Sequence, residues 1–139
     1  DAIAAALGQL RKHQPLSVEP SATHAAAWCA SDGTIRAVRE DVGRHNALDK
    51  LIGHLLRTKA DPADGFVLIT SRCSFEMVEK TAVFGASALV AISAPTSLAI
   101  ERANAYGMTL VAIARADGGM VFGNAGEIIS KVVTGEITR

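Results

Sequence analysis

The chain is poor in cysteine, in net charge and in long apolar runs, and each shortage removes a class of protein. Its two cysteines, Cys29 and Cys73, form no C-x-x-C pair, whereas a small secreted domain held by disulfides needs several. A reducing compartment, the cytoplasm, is the expectation. Lysine plus arginine equals aspartate plus glutamate at 14 each, so no overall basic field collects nucleic acid. Any charge that matters has to be local. No apolar run approaches the roughly 20 residues that cross a bilayer, so no membrane partner is expected.

What is present suits one α/β domain. A length of 139 residues with 49% hydrophobic residues is enough to enclose a single core without staples. The chain opens at Asp1 without an initiator Met, in an alanine-rich amphipathic stretch from Ala2 to His13. That stretch reads as a helix entered part-way, and the expectation is a piece of a longer protein. Gln14 to Ser21 carries two prolines and reads as a connector. Residues 1–21 are thus helix and connector, and residues 22–139 the core.

Along the core, His24 to Ala30 and Thr34 to Arg39 flank Asp32-Gly33, a two-residue hairpin signal. From Arg44 to Lys59, Ala47, Leu48, Leu51, Ile52, Leu55 and Leu56 recur at helical spacing. Then strand and helix alternate: Phe66 to Thr70, Phe75 to Phe84, Leu89 to Ser93, Ser97 to Tyr106, Met108 to Arg115. A short strand near Met120 to Phe122 and a helix from Glu127 to Val133 follow. Short apolar runs alternating with helices point to β-α-β units and a largely parallel sheet.

Ligands of open α/β sheets bind where strands end and helices begin. That rule selects three turns: Glu40 to Asn46, Thr70 to Ser74, and Ser93 to Ser97. Each joins small or hydroxyl residues to a helix start, whose free N–H groups favour anions. Arg44 and Arg72 add planar guanidinium forks suited to phosphate, with Lys50 and Lys80 on the same helices. Asp41, Ser74 and Thr96 are equally readable as plain helix caps. His45, beside Asp41 and Asn46, is placed for acid–base work or for a structural bond; His13 and His54 read as surface residues. Cys73 stands at a helix start near Arg72, where a thiolate is favoured, although a buried, inert cysteine fits the same position. Cys29 reads as core. Against the H-x-E and P-C-x-x-C motifs of zinc deaminases, His24 is followed by Ala26 in place of the glutamate and the cysteine motif is missing. No metal site is expected.

Three blocks carry a resemblance beyond these arguments. Arg39-Glu40-Asp41-Val42-Gly43-Arg44-His45-Asn46-Ala47-Leu48-Asp49-Lys50, Ser74-Phe75-Glu76-Met77-Val78-Glu79-Lys80 and Ser93-Ala94-Pro95-Thr96-Ser97-Leu98-Ala99 resemble, in order, the signature blocks of the FdhD family of formate dehydrogenase accessory sulfurtransferases. Thr23 to Ala27 and Gly107 to Val111 match as well, so the similarity runs from residue 23 to about residue 125. The resemblance implies a three-layer, cytidine-deaminase-like α/β fold with a mixed, mostly parallel sheet flanked by helices. It also implies a cytoplasmic dimer that takes persulfide sulfur from an IscS-type cysteine desulfurase. That sulfur passes to the molybdenum bis(molybdopterin guanine dinucleotide) cofactor of the formate dehydrogenase catalytic subunit.

By position, the resemblance puts cofactor binding at Ile113, Ala114, Arg115, Ala116, Asp117 and Gly118. The signature blocks line the same cavity with Asp41, Gly43, Arg44, His45, Asn46, Lys50, Ser71, Arg72, Ser74, Glu76, Met77, Lys80, Ser93, Ala94, Pro95 and Thr96. In this reading Arg44, Arg72 and Arg115 meet phosphate or base, with guanine nucleotides as partial mimics of the cofactor, and Asp41, Asn46 and Ser93 are polar anchors. The family's persulfide-bearing C-x-x-C lies upstream of every matched block, so this chain is expected to position cofactor rather than relay sulfur. Two other classes stay open. A deaminase-like hydrolase using His45, Asp41 or Cys73 would act on free nucleosides or hold a metal. A scaffold docking desulfurase or dehydrogenase would bind no guanine nucleotide.

Overall fold

The structure is a computed structural model that describes residues 2–12, 23–92, 95–115 and 118–122. Its elements are α1 (Ala2–Lys12), β1 (His24–Ala30), β2 (Ile35–Asp41), α2 (Arg44–Arg57), a 3-10 turn (Pro62–Asp64), β3 (Gly65–Ile69), α3 (Phe75–Phe84), β4 (Ala88–Ala91), α4 (Ser97–Tyr106), β5 (Thr109–Arg115) and β6 (Gly118–Phe122). The expected alternation is present. The connector at 14–21, His13 and the helix expected over 127–133 lie outside the described residues. None of the described helices is long and apolar enough to cross a membrane.

The hairpin forms where Asp32-Gly33 signalled it. Gly33 N–H donates to the Ala30 carbonyl and Ala30 N–H to the Thr34 carbonyl, both at 2.8 Å. Gly33 sits at φ +94°, a conformation in which a Cβ is costly.

The strands join in one sheet of order β2-β1-β3-β4-β5-β6. The fold is α/β with a mixed sheet flanked by helices, but parallel pairing does not predominate. β3–β4 and β4–β5 are parallel, whereas β1–β2, β1–β3 and β5–β6 are antiparallel. The cause is β1, which lies between β2 and β3 and runs against both. As a result β2, β3, β4 and β5 point the same way although β2 never touches β3.

Two hydrophobic layers enclose this sheet. On one face Leu48, Leu51 and Leu55 of α2, Met77 and Val78 of α3, and Ala99 and Ala103 of α4 pack on Ala26, Trp28, Val67, Ile69, Leu89 and Leu110. Trp28 meets Phe84 edge-on, with ring centroids 5.5 Å apart. On the other face Ile3, Ala6 and Leu10, spaced to share one side of α1, cover Ala25, Ala27, Cys29, Phe66, Leu68 and Val90. Phe66–Ile69 and Ala88–Ala91 are buried without interruption, as central strands covered on both sides should be.

Candidate functional site

Because β2, β3, β4 and β5 share a direction, their C-terminal ends form one edge of the sheet. His24, which opens β1, joins them there opposite Asp41. The three turns selected from the sequence therefore meet on one side of the molecule, and direct contacts tie them together. Between β1 and β3, Thr70 N–H donates to the Ala25 carbonyl at 3.0 Å, and Ala25 N–H to Thr70 Oγ1 at 2.9 Å. Cys73 pairs with Pro95 in an isolated parallel bridge, and Thr96 N–H donates to the Cys73 carbonyl at 3.1 Å. Lys80 of α3 lies 2.7 Å from Asp49 of α2, and His45 Nε2 lies 3.9 Å from Glu76 Oε1.

The turn after β2 is the most closely braced. Asp41 is the last residue of β2 rather than a helix cap, which corrects the cap reading. Its Oδ1 accepts from Gly43 N–H at 2.9 Å, and Gly43 holds the N-cap position of α2 with no side-chain cap. Lys50 Nζ reaches Asp41 Oδ2 at 2.6 Å and donates to the Glu40 carbonyl at 3.1 Å. The Lys50 ammonium first, then the Gly43 N–H, holds the Asp41 carboxyl below the usual carboxylate range. A Cβ added to Gly43 would stand 3.1 Å from Asn46 Nδ2, so Asn46 closes the turn from the helix side. Val42 projects from it, 77% exposed.

The other two helix starts differ from each other. Thr96 caps α4 as expected, its hydroxyl accepting from Ala99 N–H. Ser74 stands at the N-cap of α3 without capping it; its hydroxyl instead donates to Glu76 Oε1 at 3.4 Å. Ser71 is buried, with its Oγ donating to the Arg72 carbonyl at 3.2 Å.

The cations of this edge fall into two kinds. Lys50 and Lys80 are each spent on a carboxylate. Arg44 and Arg72 are exposed, and neither guanidinium has an ion-pair partner among the described residues. Two guanidiniums at this edge are thus left uncommitted to any carboxylate among the described residues.

One residue of the expected set changes role. Met77 is fully buried in the core beneath α3, so its side chain belongs to packing and not to a surface that a ligand touches. Cys73 is also fully buried, and burial pushes its thiol up to about 12; of the two readings open for it, the buried, inert cysteine is the one observed. Cys29 is core as read, its thiol likewise pushed up to about 12. Ile113, Ala114 and Arg115 continue β5 past the end of β4 at the same edge, and Gly118 opens β6 opposite Arg115. Ser93, Ala94, Ala116 and Asp117 lie outside the described residues. Thr70 and Asp49 were not singled out from the sequence, because each acts through a partner far along the chain. At the opposite end of the sheet, a cavity of about 690 Å³ is lined by Trp28, Arg36, His54 and Asp61, among others. His54, read as a surface residue, is half-buried there.

Comparison with known proteins supplies a family and a matching fold. The family model described as FdhD/NarQ matches residues 1–129. The chain belongs to the FdhD/NarQ family. A protein named sulfur carrier protein FdhD from Xanthomonas euvesicatoria is 47% identical over 98% of this chain and 48% of its own length. One of the same name from Burkholderia cenocepacia is 52% identical over 88% of this chain and 44% of its own. The chain therefore spans about half the length of the curated relatives it matches. A crystal structure from Desulfotalea psychrophila, provisionally described as a formate dehydrogenase accessory protein, superposes with a TM-score of 0.82 at 31% identity. That match covers 91% of this chain and 54% of the other.

Proposed function

We propose that this FdhD-family chain holds the guanine nucleotide ends of a molybdenum bis(molybdopterin guanine dinucleotide) cofactor and positions it for sulfur transfer during maturation of formate dehydrogenase. The observation that carries the reading is the pair of exposed, unpaired guanidiniums, Arg44 and Arg72, on one edge with the N-termini of α2, α3 and α4. Helix N-termini and guanidinium forks are the recurring means of gripping phosphate. The grip in this reading falls on the nucleotide, whose phosphates suit guanidinium forks and helix N-termini.

The cofactor is the cargo and supplies the site that accepts sulfur. This chain's residues bind and orient it. Arg44 and Arg72 take phosphate, the backbone at Ile113–Arg115 borders the same edge, and Asn46 is the polar anchor. Holding the acceptor beside the donor makes a bimolecular encounter effectively intramolecular. The sulfur donor in this reading is an IscS-type cysteine desulfurase in the cytoplasm, the recipient the formate dehydrogenase catalytic subunit. A homodimer would offer one edge to each guanine end.

Calorimetric titration of the purified protein with GDP tests the reading. Binding is expected, and Arg44→Ala, Arg72→Ala and Arg115→Ala should each weaken it by about 1.5–3 kcal/mol, the range for hydrogen bonds to charged groups. No binding, or an affinity indifferent to all three arginines, would refute it.

A further inference from the structure

The four cations near the strand-end edge need not share one job. Lys80 and Asp49 join α3 to α2. Lys50 acts on the turn itself, because its ammonium touches Asp41 at 2.6 Å and the Glu40 carbonyl at 3.1 Å. Asp41 in turn holds Gly43 N–H at 2.9 Å, and the Gly43 carbonyl accepts the Ala47 N–H that opens α2. One line of contacts thus runs from lysine through carboxylate to the backbone where the helix begins.

A carboxylate at that place works against an anion. A bare negative charge on Asp41, a few ångströms from an incoming phosphate, would repel it. Lys50 removes the objection while keeping the hydrogen bond that shapes the turn. We propose that Lys50 is a positioning residue: it pins and neutralises Asp41 so that the β2–α2 turn presents Arg44 and free backbone N–H groups to an anionic nucleotide, without touching the nucleotide itself. The inference rests on the strand-end edge being a nucleotide site, and it separates Lys50 from Arg44, which has no such partner to hold.

The test is a cycle of GDP affinities, by calorimetry, for the unaltered protein, Lys50→Met, Asp41→Asn and the double variant. Lys50→Met should weaken GDP binding about tenfold, as one uncompensated charge at short range would. Asp41→Asn in the Lys50→Met background should recover most of that loss, since asparagine keeps an oxygen for Gly43 N–H and carries no charge. Lys50→Arg should bind as the unaltered protein does. A purely structural role would not give recovery on removing a second group. If the unaltered protein binds GDP and Lys50→Met changes nothing, the inference is wrong. If Lys50→Met weakens binding and Asp41→Asn does not restore it, Lys50 meets the ligand directly and the inference is equally wrong. Absence of GDP binding by the unaltered protein defeats the proposed function instead, and this inference falls with it.

Discussion

Burial decides what Cys73 can do. Its sequence neighbours, Arg72 and a helix start, favour a thiolate, yet the side chain is fully enclosed and its Sγ lies 3.8 Å from the Ser74 carbonyl. Desolvation governs it, as it governs Cys29 near the end of β1, and neither thiol is poised as a nucleophile. Iodoacetamide near pH 8 should leave both cysteines unlabelled in the folded protein and label both in concentrated urea; rapid labelling of Cys73 without urea would contradict this. The same burial sets a pH limit. An unfolded thiol ionises near 8.5, while the folded ones hold their protons up to about 12. Between those values the unfolded chain gives up protons that the folded chain keeps, so these two groups make stability fall as pH rises through that window.

At the scale of elements, local pattern was readable and long-range pairing was not. The α3 and α4 spans match the sequence reading residue for residue, because each helix ends at a glycine in the left-handed region, Gly85 or Gly107, and a glycine there is a local signal. The helical spacing carries α2 to Lys59, two residues past its end at Arg57. Thr58 closes that helix and Lys59 turns at φ +57°, a conformation no lysine announces. β2 runs on to Asp41 because His24 pairs with it across the sheet, so an aspartate that reads as a helix cap from its position before α2 is a strand residue instead. The antiparallel insertion of β1 between β2 and β3 joins residues some 40 positions apart, beyond the reach of periodicity. The hairpin, by contrast, was written in Asp32-Gly33. Gly33 holds a positive φ, and a Cβ there would run into the Ala2 carbonyl at the start of α1. Gly33→Ala should therefore cost at least about 2 kcal/mol, backbone strain and collision together, seen as a lower urea midpoint with an unchanged slope.

For the whole molecule, the convergence of three turns on one edge could be reasoned from strand–helix order, while the fastening of that edge could not. Lys80–Asp49, His45–Glu76 and Cys73–Pro95 link segments distant in the chain, and Met77 entered the candidate set because its block resembled a binding block although its side chain faces the core. The two core layers should accordingly separate stability from binding. Leu10 of α1 and Leu51 of α2 are both buried, and replacing either by alanine should cost about 2–5 kcal/mol in urea denaturation. α1 covers the face of the sheet away from α2, α3 and α4, so Leu10→Ala should leave GDP affinity within about twofold once the protein is folded, sites on opposite layers being close to independent. Leu51 sits one residue past Lys50 on the helix whose start the Asp41 turn forms. A cavity there lets α2 settle, so Leu51→Ala should weaken GDP binding as well as stability. Equal effects of the two variants on GDP affinity would mean that the strand-end edge is not positioned by the α2 layer.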